Sequence, residues 1–290
     1  MEFREPYPLL KEGVFYVKIV PKEREIMTIQ KFLAMKGKEK IVMVTAYDTP
    51  TAKIAEEAGV DIILIGDSIG NNVLGYDSTI PVTMEEIIIH LKAVRRGAPN
   101  SFIVADMPFL SYGHSIEEAV KNAGILIKNG ANAVKIEGGK FHCNLIEKCI
   151  NIGIPVMGHL GFTPQSINIF GGYKVQGKKE DSKKTILESA IALEQCGVFS
   201  IVLEMVTEEL AKEITEKISI PTIGIGAGRY CDGQVLVFHD IVGLNPNFKP
   251  KFSKQYANTY SIMLNALKEF KKDVKEKNFP KERHTFKGGK

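Results

Sequence analysis

No two of the four cysteines, Cys143, Cys149, Cys196 and Cys231, stand in a C-x-x-C spacing. That argues against a zinc ribbon or a thioredoxin-type motif, and free thiols in a reducing compartment are the expectation. No apolar run reaches the roughly 20 residues that a membrane-spanning helix needs. Residues 1–26 carry acids throughout and no continuous apolar stretch, so they match neither a signal nor a typical transit peptide. A cytoplasmic protein is expected. No G-x-G-x-x-G follows the first strand, and the later Ile225-Gly226-Ala227-Gly228 lacks the third glycine. A large charge imbalance is missing as well. The net charge is +4, but Lys268–Lys290 holds nine of the 38 basic residues and only four of the 34 acidic ones. The body is near neutral, which gives no support for nucleic-acid binding. The basic tail reads as a solvated terminus.

What the chain does have is apolar strands that end in acids. Its 290 residues are 44% hydrophobic, enough for one large α/β domain or two small ones. The run Val60-Asp61-Ile62-Ile63-Leu64-Ile65-Gly66-Asp67-Ser68 reads as a buried strand that delivers Asp67 to its carboxyl end. Alternation puts Ile63, Ile65 and Asp67 on one face. Phe102–Asp106, Asn132–Glu137 and Phe199–Glu204 repeat the design. Strands are also expected at 41–45, 155–159, 221–225 and 234–238. Helices are expected between most of them. Thr28 is a plausible helix N-cap, Thr83 and Ser115 each start an S/T-x-x-E capping box, and Gly59 follows a helix that opens at Thr49-Pro50. Eight such strands argue for a (β/α)8 TIM barrel; the seventh-to-eighth connection is short for a full helix.

In that fold the carboxyl ends of the strands form the active-site face, where Asp67, Asp106, Glu137, His159 and Glu204 fall. Lys135 and Glu137 are two apart, so they share a face. Hard carboxylates without a cysteine partner suit Mg²⁺. His159 is either a metal ligand or a donor to a backbone carbonyl. Lys135 is read as a fixed positive charge rather than a Schiff-base lysine. The segment Gly161–Glu180 is either a lid or an ordinary surface loop, and the tyrosines at 76, 112 and 173 sit in loops.

Several runs carry a family resemblance. They are Thr45-Ala46-Tyr47-Asp48, Gly66-Asp67-Ser68, Leu74-Gly75-Tyr76-Asp77-Ser78-Thr79, Ala93–Pro99, Ala105-Asp106-Met107-Pro108-Phe109, Val134–Gly139, Gly158-His159-Leu160-Gly161, Thr163–Gly177, Ile223–Gly228 and Asp232-Gly233-Gln234. Together they resemble the ketopantoate hydroxymethyltransferase family of pantothenate and coenzyme A synthesis, in the family's order from about Met27 to Phe252. The resemblance implies a barrel over 27–286, with an extension at 1–26 and a basic tail end at 287–290. It implies a ring-like homo-oligomer, a decamer built as a pentamer of dimers. It implies Mg²⁺ at Asp67 and Asp106 with Glu137 beside it, and a 2-oxo acid bound by Asp67, Ser68, Asp106 and Lys135. Glu204 matches the family's general base, which forms a Mg²⁺-stabilised enolate of 3-methyl-2-oxobutanoate. That carbon then takes the one-carbon unit of 5,10-methylenetetrahydrofolate. A rival reading is a Mg²⁺ barrel of the isocitrate lyase and phosphoenolpyruvate mutase kind. Those enzymes place a reactive cysteine in an active-site loop, whereas Cys143 and Cys149 fall in a predicted helix. A second rival is a non-catalytic barrel, which would lack one of the four acids.

Overall fold

Eight parallel strands close into a barrel in chain order in a computed structural model that describes residues 26–246 and 249–288. They are β1 Ile41–Thr45, β2 Ile62–Ile65, β3 Phe102–Asp106, β4 Ala133–Glu137, β5 Val156–Gly161, β6 Ser200–Glu204, β7 Thr222–Ile225 and β8 Gly233–Leu236. The β8–β1 pairing, Ile41 opposite Gly233, closes the ring and leaves no sheet edge. The expected extension at 1–26 lies outside the described residues except for Ile26.

The helices follow from local signals. Helix α1 (Ile29–Met35) is capped by Thr28, whose side chain accepts from the Lys31 amide. In α2 (Thr49–Ala58) Asp48 is the cap, Pro50 sits in the first turn and Gly59 ends the helix in a left-handed conformation. Helix α3 (Met84–Gly97) has the full capping box of Thr83 and Glu86. At α4 (Ile116–Lys128) only half of the expected box forms. Ser115 accepts from the Glu118 amide, but the Glu118 carboxylate turns to His114 at 3.2 Å. Then come α5 (Cys143–Asn151), the one-turn α6 (Ile167–Phe170), α7 (Glu180–Gln195) and α8 (Glu208–Lys217). The short β7–β8 connection carries no helix. After β8 stand α9 (Phe238–Val242) and α10 (Thr259–Lys275), the latter starting six residues beyond the expected Ser253. None of the residues of α10 is buried, and Ile262, Met263, Leu267 and Phe270 are exposed. Among the described residues no helix is long and apolar enough to cross a membrane.

Period-two alternation sorts the strands into an outer and an inner face. Ile63, Ile65, Ile103, Ala105, Val134 and Ile136 pack outward against the helices. Ile62, Leu64, Phe102, Val104, Ala133, Met157 and Val202 pack inward and fill the barrel floor. Helix α1 closes that floor, with Phe32 buried edge-on against Phe199 at 5.5 Å. The expectation that Asp67 shares a face with Ile63 and Ile65 is therefore corrected. Those isoleucines face outward, while Asp67 lines the cavity with Leu64. The strand ends at Ile65, and the Gly66 turn resets the alternation before the acid arrives.

The cysteine expectation is also corrected. Cys143 at the start of α5 and Cys196 at the end of α7 form a disulfide, with Cα atoms 5.5 Å apart. Cys149 and Cys231 are free and buried. The pairing joins helices 53 residues apart in sequence, and only helix docking reveals it. The thiols consequently say nothing for a reducing compartment.

Candidate active site

The inward positions that continue beyond the apolar floor carry charge. On β3 the inner series Phe102, Val104 ends in Asp106; on β4 Ala133 is followed by Lys135 and Glu137; on β5 Met157 leads to His159; on β6 Val202 leads to Glu204. Register sets them side by side, Asp106 opposite Lys135 and Glu137 opposite His159. Asp67, Ser68, Asp106, Lys135, Glu137, His159 and Glu204 all line one cavity of about 450 Å³ at the carboxyl ends of the strands. Tyr76 and Tyr173 line it too, whereas Tyr112 is buried behind it.

Lys135 is the hub. Its Nζ lies 2.9 Å from Asp106 Oδ1, 3.8 Å from Glu137 Oε1 and 3.2 Å from His159 Nδ1. His159 links the two remaining acids, with Nδ1 3.3 Å from Glu137 Oε1 and Nε2 3.2 Å from Glu204 Oε2. Asp106 Oδ2 accepts from the Asp67 amide at 3.0 Å. The Ser68 hydroxyl meets that of Tyr47 at 2.8 Å. Gly161 lets β5 approach Glu204. Its φ is +97°, and a Cβ there would stand 2.2 Å from the Glu204 carbonyl oxygen.

Burial sharpens the charges. It raises Asp67 well above the usual carboxylate range, and the Glu137 and Asp106 carboxylates add to the effect. Burial raises Asp106 too, against the pull of Lys135. Burial also opposes the ionisation of Glu137, yet His159 and Lys135 hold its carboxyl below the ordinary value. Burial and Lys135 disfavour protonated His159, but Glu137 and Glu204 outweigh them and lift it to about 9. Lys135 is held charged by Asp106, Glu137 and Asp67 despite its burial.

One organising residue has no individual signal in the sequence. Gln165, buried in the segment after β5, donates from Nε2 to Asp67 Oδ2 (2.8 Å) and to the Met107 carbonyl (2.9 Å). Its backbone amide donates to Glu137 Oε2 at 3.0 Å. The Tyr112 hydroxyl donates to Gln165 Oε1 at 2.6 Å, which fixes the orientation of the amide. The segment is tied down again at Gln176, whose amide donates to the Met205 carbonyl at 2.7 Å. Gln165→Glu keeps the shape but sets a further carboxyl against Asp67. Turnover should fall by about 10–100-fold through displaced site groups, with far-UV circular dichroism unchanged. Parent-like kinetics would show that the Asp67 contact is dispensable.

Among the described residues no three His, Cys, Asp or Glu side chains converge as a ready metal cage. Mg²⁺ needs no such cage, because it binds through one or two carboxylates and keeps water or substrate oxygens for the rest. Asp67 and Asp106 fit that role by donor chemistry. Asp106 Oδ1 and Glu137 Oε1 have cationic neighbours within 4 Å but no well-directed hydrogen bond. Two buried oxygens thus have coordinating capacity left over.

Several solved structures share this fold at low identity. Phosphoenolpyruvate phosphomutase from Streptomyces platensis subsp. rosaceus superposes with a TM-score of 0.57 at 14% identity, covering 89% of this chain and 91% of that one. A 2,3-dimethylmalate lyase superposes with a TM-score of 0.57 at 17% identity, covering 89% and 90%. These likenesses speak for the fold alone. The 3-methyl-2-oxobutanoate hydroxymethyltransferase of Thermosipho africanus is 79% identical over 263 residues, 91% of this chain and 99% of that protein. That of Clostridium beijerinckii is 55% identical over 255 residues, 88% and 93%. A family model described as ketopantoate hydroxymethyltransferase matches residues 26–282. With nearly the whole barrel matched at such identities, the chain belongs to the ketopantoate hydroxymethyltransferase family.

Proposed function

We propose that this enzyme transfers a hydroxymethyl group from 5,10-methylenetetrahydrofolate to 3-methyl-2-oxobutanoate, giving 2-dehydropantoate for pantothenate and coenzyme A synthesis. The relatives' names supply the substrate and the transferred group. The observation that carries the chemistry is the division of the acids. Asp106 and Glu137 pair with one buried lysine, whose charge Asp67 also supports, while Glu204 pairs with His159. A Mg²⁺ ion held by Asp67 and Asp106, with Glu137 beside it, would polarise the ketone of the 2-oxo acid as a Lewis acid. Lys135 supplies fixed positive charge for the substrate's carboxylate, and Ser68 supplies a hydroxyl. Glu204 takes the proton from C3, and His159 holds that carboxylate in place. The one-carbon unit is bonded to two folate nitrogens: the C3 electron pair displaces one and the oxygen of water displaces the other, while the C3 proton and one proton of water pass to those nitrogens. Water provides the hydroxyl oxygen, and tetrahydrofolate leaves.

A cytoplasmic enzyme with small-molecule substrates is part of this reading, as is the ring-like homo-oligomer. The exposed apolar residues of α10 favour assembly, because apolar surface of this kind is normally covered. The domain limits, a barrel over 27–286 between an extension and a tail end, are consistent with the span of the family match.

Incubation with 3-methyl-2-oxobutanoate in deuterated buffer should exchange the C3 hydrogen, as followed by proton NMR, faster with Mg²⁺ than with a chelator. Absence of exchange in both conditions would sink the proposal.

A further inference from the structure

The charged network occupies one arc of the cavity, from β2 round to β6. The opposite arc, β7–β8–β1, is apolar at depth, where Ile225, Val235 and Leu236 line it. Among the described residues a single carboxylate interrupts that arc. Asp240, in α9 just after β8, lines the cavity, and α9 is set against β1 by the Phe238 amide donating to Thr45 Oγ1. Asp240 is half-buried, and its carboxylate has no ion pair or hydrogen bond with any described residue. Burial raises it to about 6, with no donor or cation among the described residues to oppose the shift. A carboxylate so placed lacks the partners that buried acids ordinarily have.

Two aromatic rings line the same cavity. Tyr76, from the turn after β2, lines the cavity with its hydroxyl tied to Glu86 at 2.6 Å. Phe252 lines it from the other side, seated over Gly226, where a Cβ would stand 2.9 Å from the ring. An acid without a donor and two aromatic rings in one cavity suit a flat heteroaromatic ring bearing adjacent N–H donors at one end. A carboxylate's two oxygens match a pair of parallel N–H groups, the geometry that makes bidentate recognition strong.

We propose that Asp240 is the recognition residue for the 2-amino-4-oxopyrimidine edge of the folate co-substrate, with the ring held between Tyr76 and Phe252. The inference rests on the function proposed above and extends it to a second subsite. It also orients the co-substrate. The amino edge of a pterin lies opposite the nitrogens that carry the one-carbon unit. Anchoring that edge on the β8 side therefore turns the one-carbon unit toward Glu204 and the acids on the far arc.

The test uses the full-length enzyme and Asp240→Asn, which keeps the shape and replaces one acceptor oxygen with a donor. Tetrahydrofolate and its 2-deamino analogue are titrated by calorimetry, and both KM values are measured in the transfer assay. Loss of a charge-assisted hydrogen-bond pair should weaken tetrahydrofolate binding and raise the folate KM by about 10–100-fold. The KM for the 2-oxo acid should stay within about threefold. The parent enzyme should discriminate against the 2-deamino analogue, and the variant should not, a change that a merely structural role would not produce. Unchanged folate affinity in the variant overturns the inference alone. So does an equal loss toward both substrates, or slowed C3–H exchange in the absence of folate. A parent enzyme that binds no tetrahydrofolate overturns this inference and the proposed function together.

Discussion

Glu204→Gln should abolish both C3–H exchange and hydroxymethyl transfer, with losses of about 10²–10⁴-fold, the usual contribution of a positioned proton acceptor. The substitution keeps the side chain's shape and its reach to His159, now 3.2 Å from Glu204 Oε2. Binding of Mg²⁺ and of the 2-oxo acid should survive, because Asp67, Asp106 and Lys135 are untouched. A second, independent signature is expected at His159. Glu204 is one of two carboxylates holding that imidazole protonated up to about 9. Its loss should move the titration downward, measurable by NMR of the ring. If exchange continued at the parent rate while transfer stopped, Glu204 would act on the folate step. The base would then be sought at His159 or Lys135.

Lys135→Met should cost both activity and stability. Lys135 is almost fully buried between Asp106 and Glu137. Removing the ammonium leaves Asp106 without its cationic partner and Glu137 with His159 alone, and breaking a buried ion pair in this way costs about 3–5 kcal/mol. Denaturant unfolding of the metal-free protein should register that loss, and turnover should be undetectable. The sign of the pH effect follows from the carboxyls left behind. Without Lys135 the folded-state pKa values of Asp67 and Asp106, already raised, rise further. Between the unfolded-state value and the raised folded one, the folded protein holds more protons than the unfolded chain. Stability of the variant therefore falls as pH rises through that window, and the deficit against the parent is smaller in acid. A variant equally stable at every pH would mean that Lys135 does not neutralise this cluster.

The architecture was legible in the sequence because it depends on local chemistry. Apolar runs punctuated by glycine and capping residues specify strands and helices from nearest neighbours, and Thr83 with Glu86 forms the box that its spacing predicts. The charged ends of β3, β4 and β6 were legible for the same reason, since a period of two carries Asp106, Lys135, Glu137 and Glu204 inward with the apolar floor. Asp67 escaped that rule because Gly66 ends the alternation before it. What required the tertiary structure is contact across the barrel. Gln165 reaches Asp67 across 98 residues, and nothing near it in the chain distinguishes it from any polar loop residue. Cys143 meets Cys196 only once α5 and α7 dock. Asp240 reads as an ordinary acid of a short helix until closure of β8 onto β1 sets it over the cavity. The sequence alone determined which residues sit at strand ends, because strand periodicity is local; which of them touch, and with what charge, was decided by closure of the ring, because pairing and desolvation depend on neighbours brought from other strands.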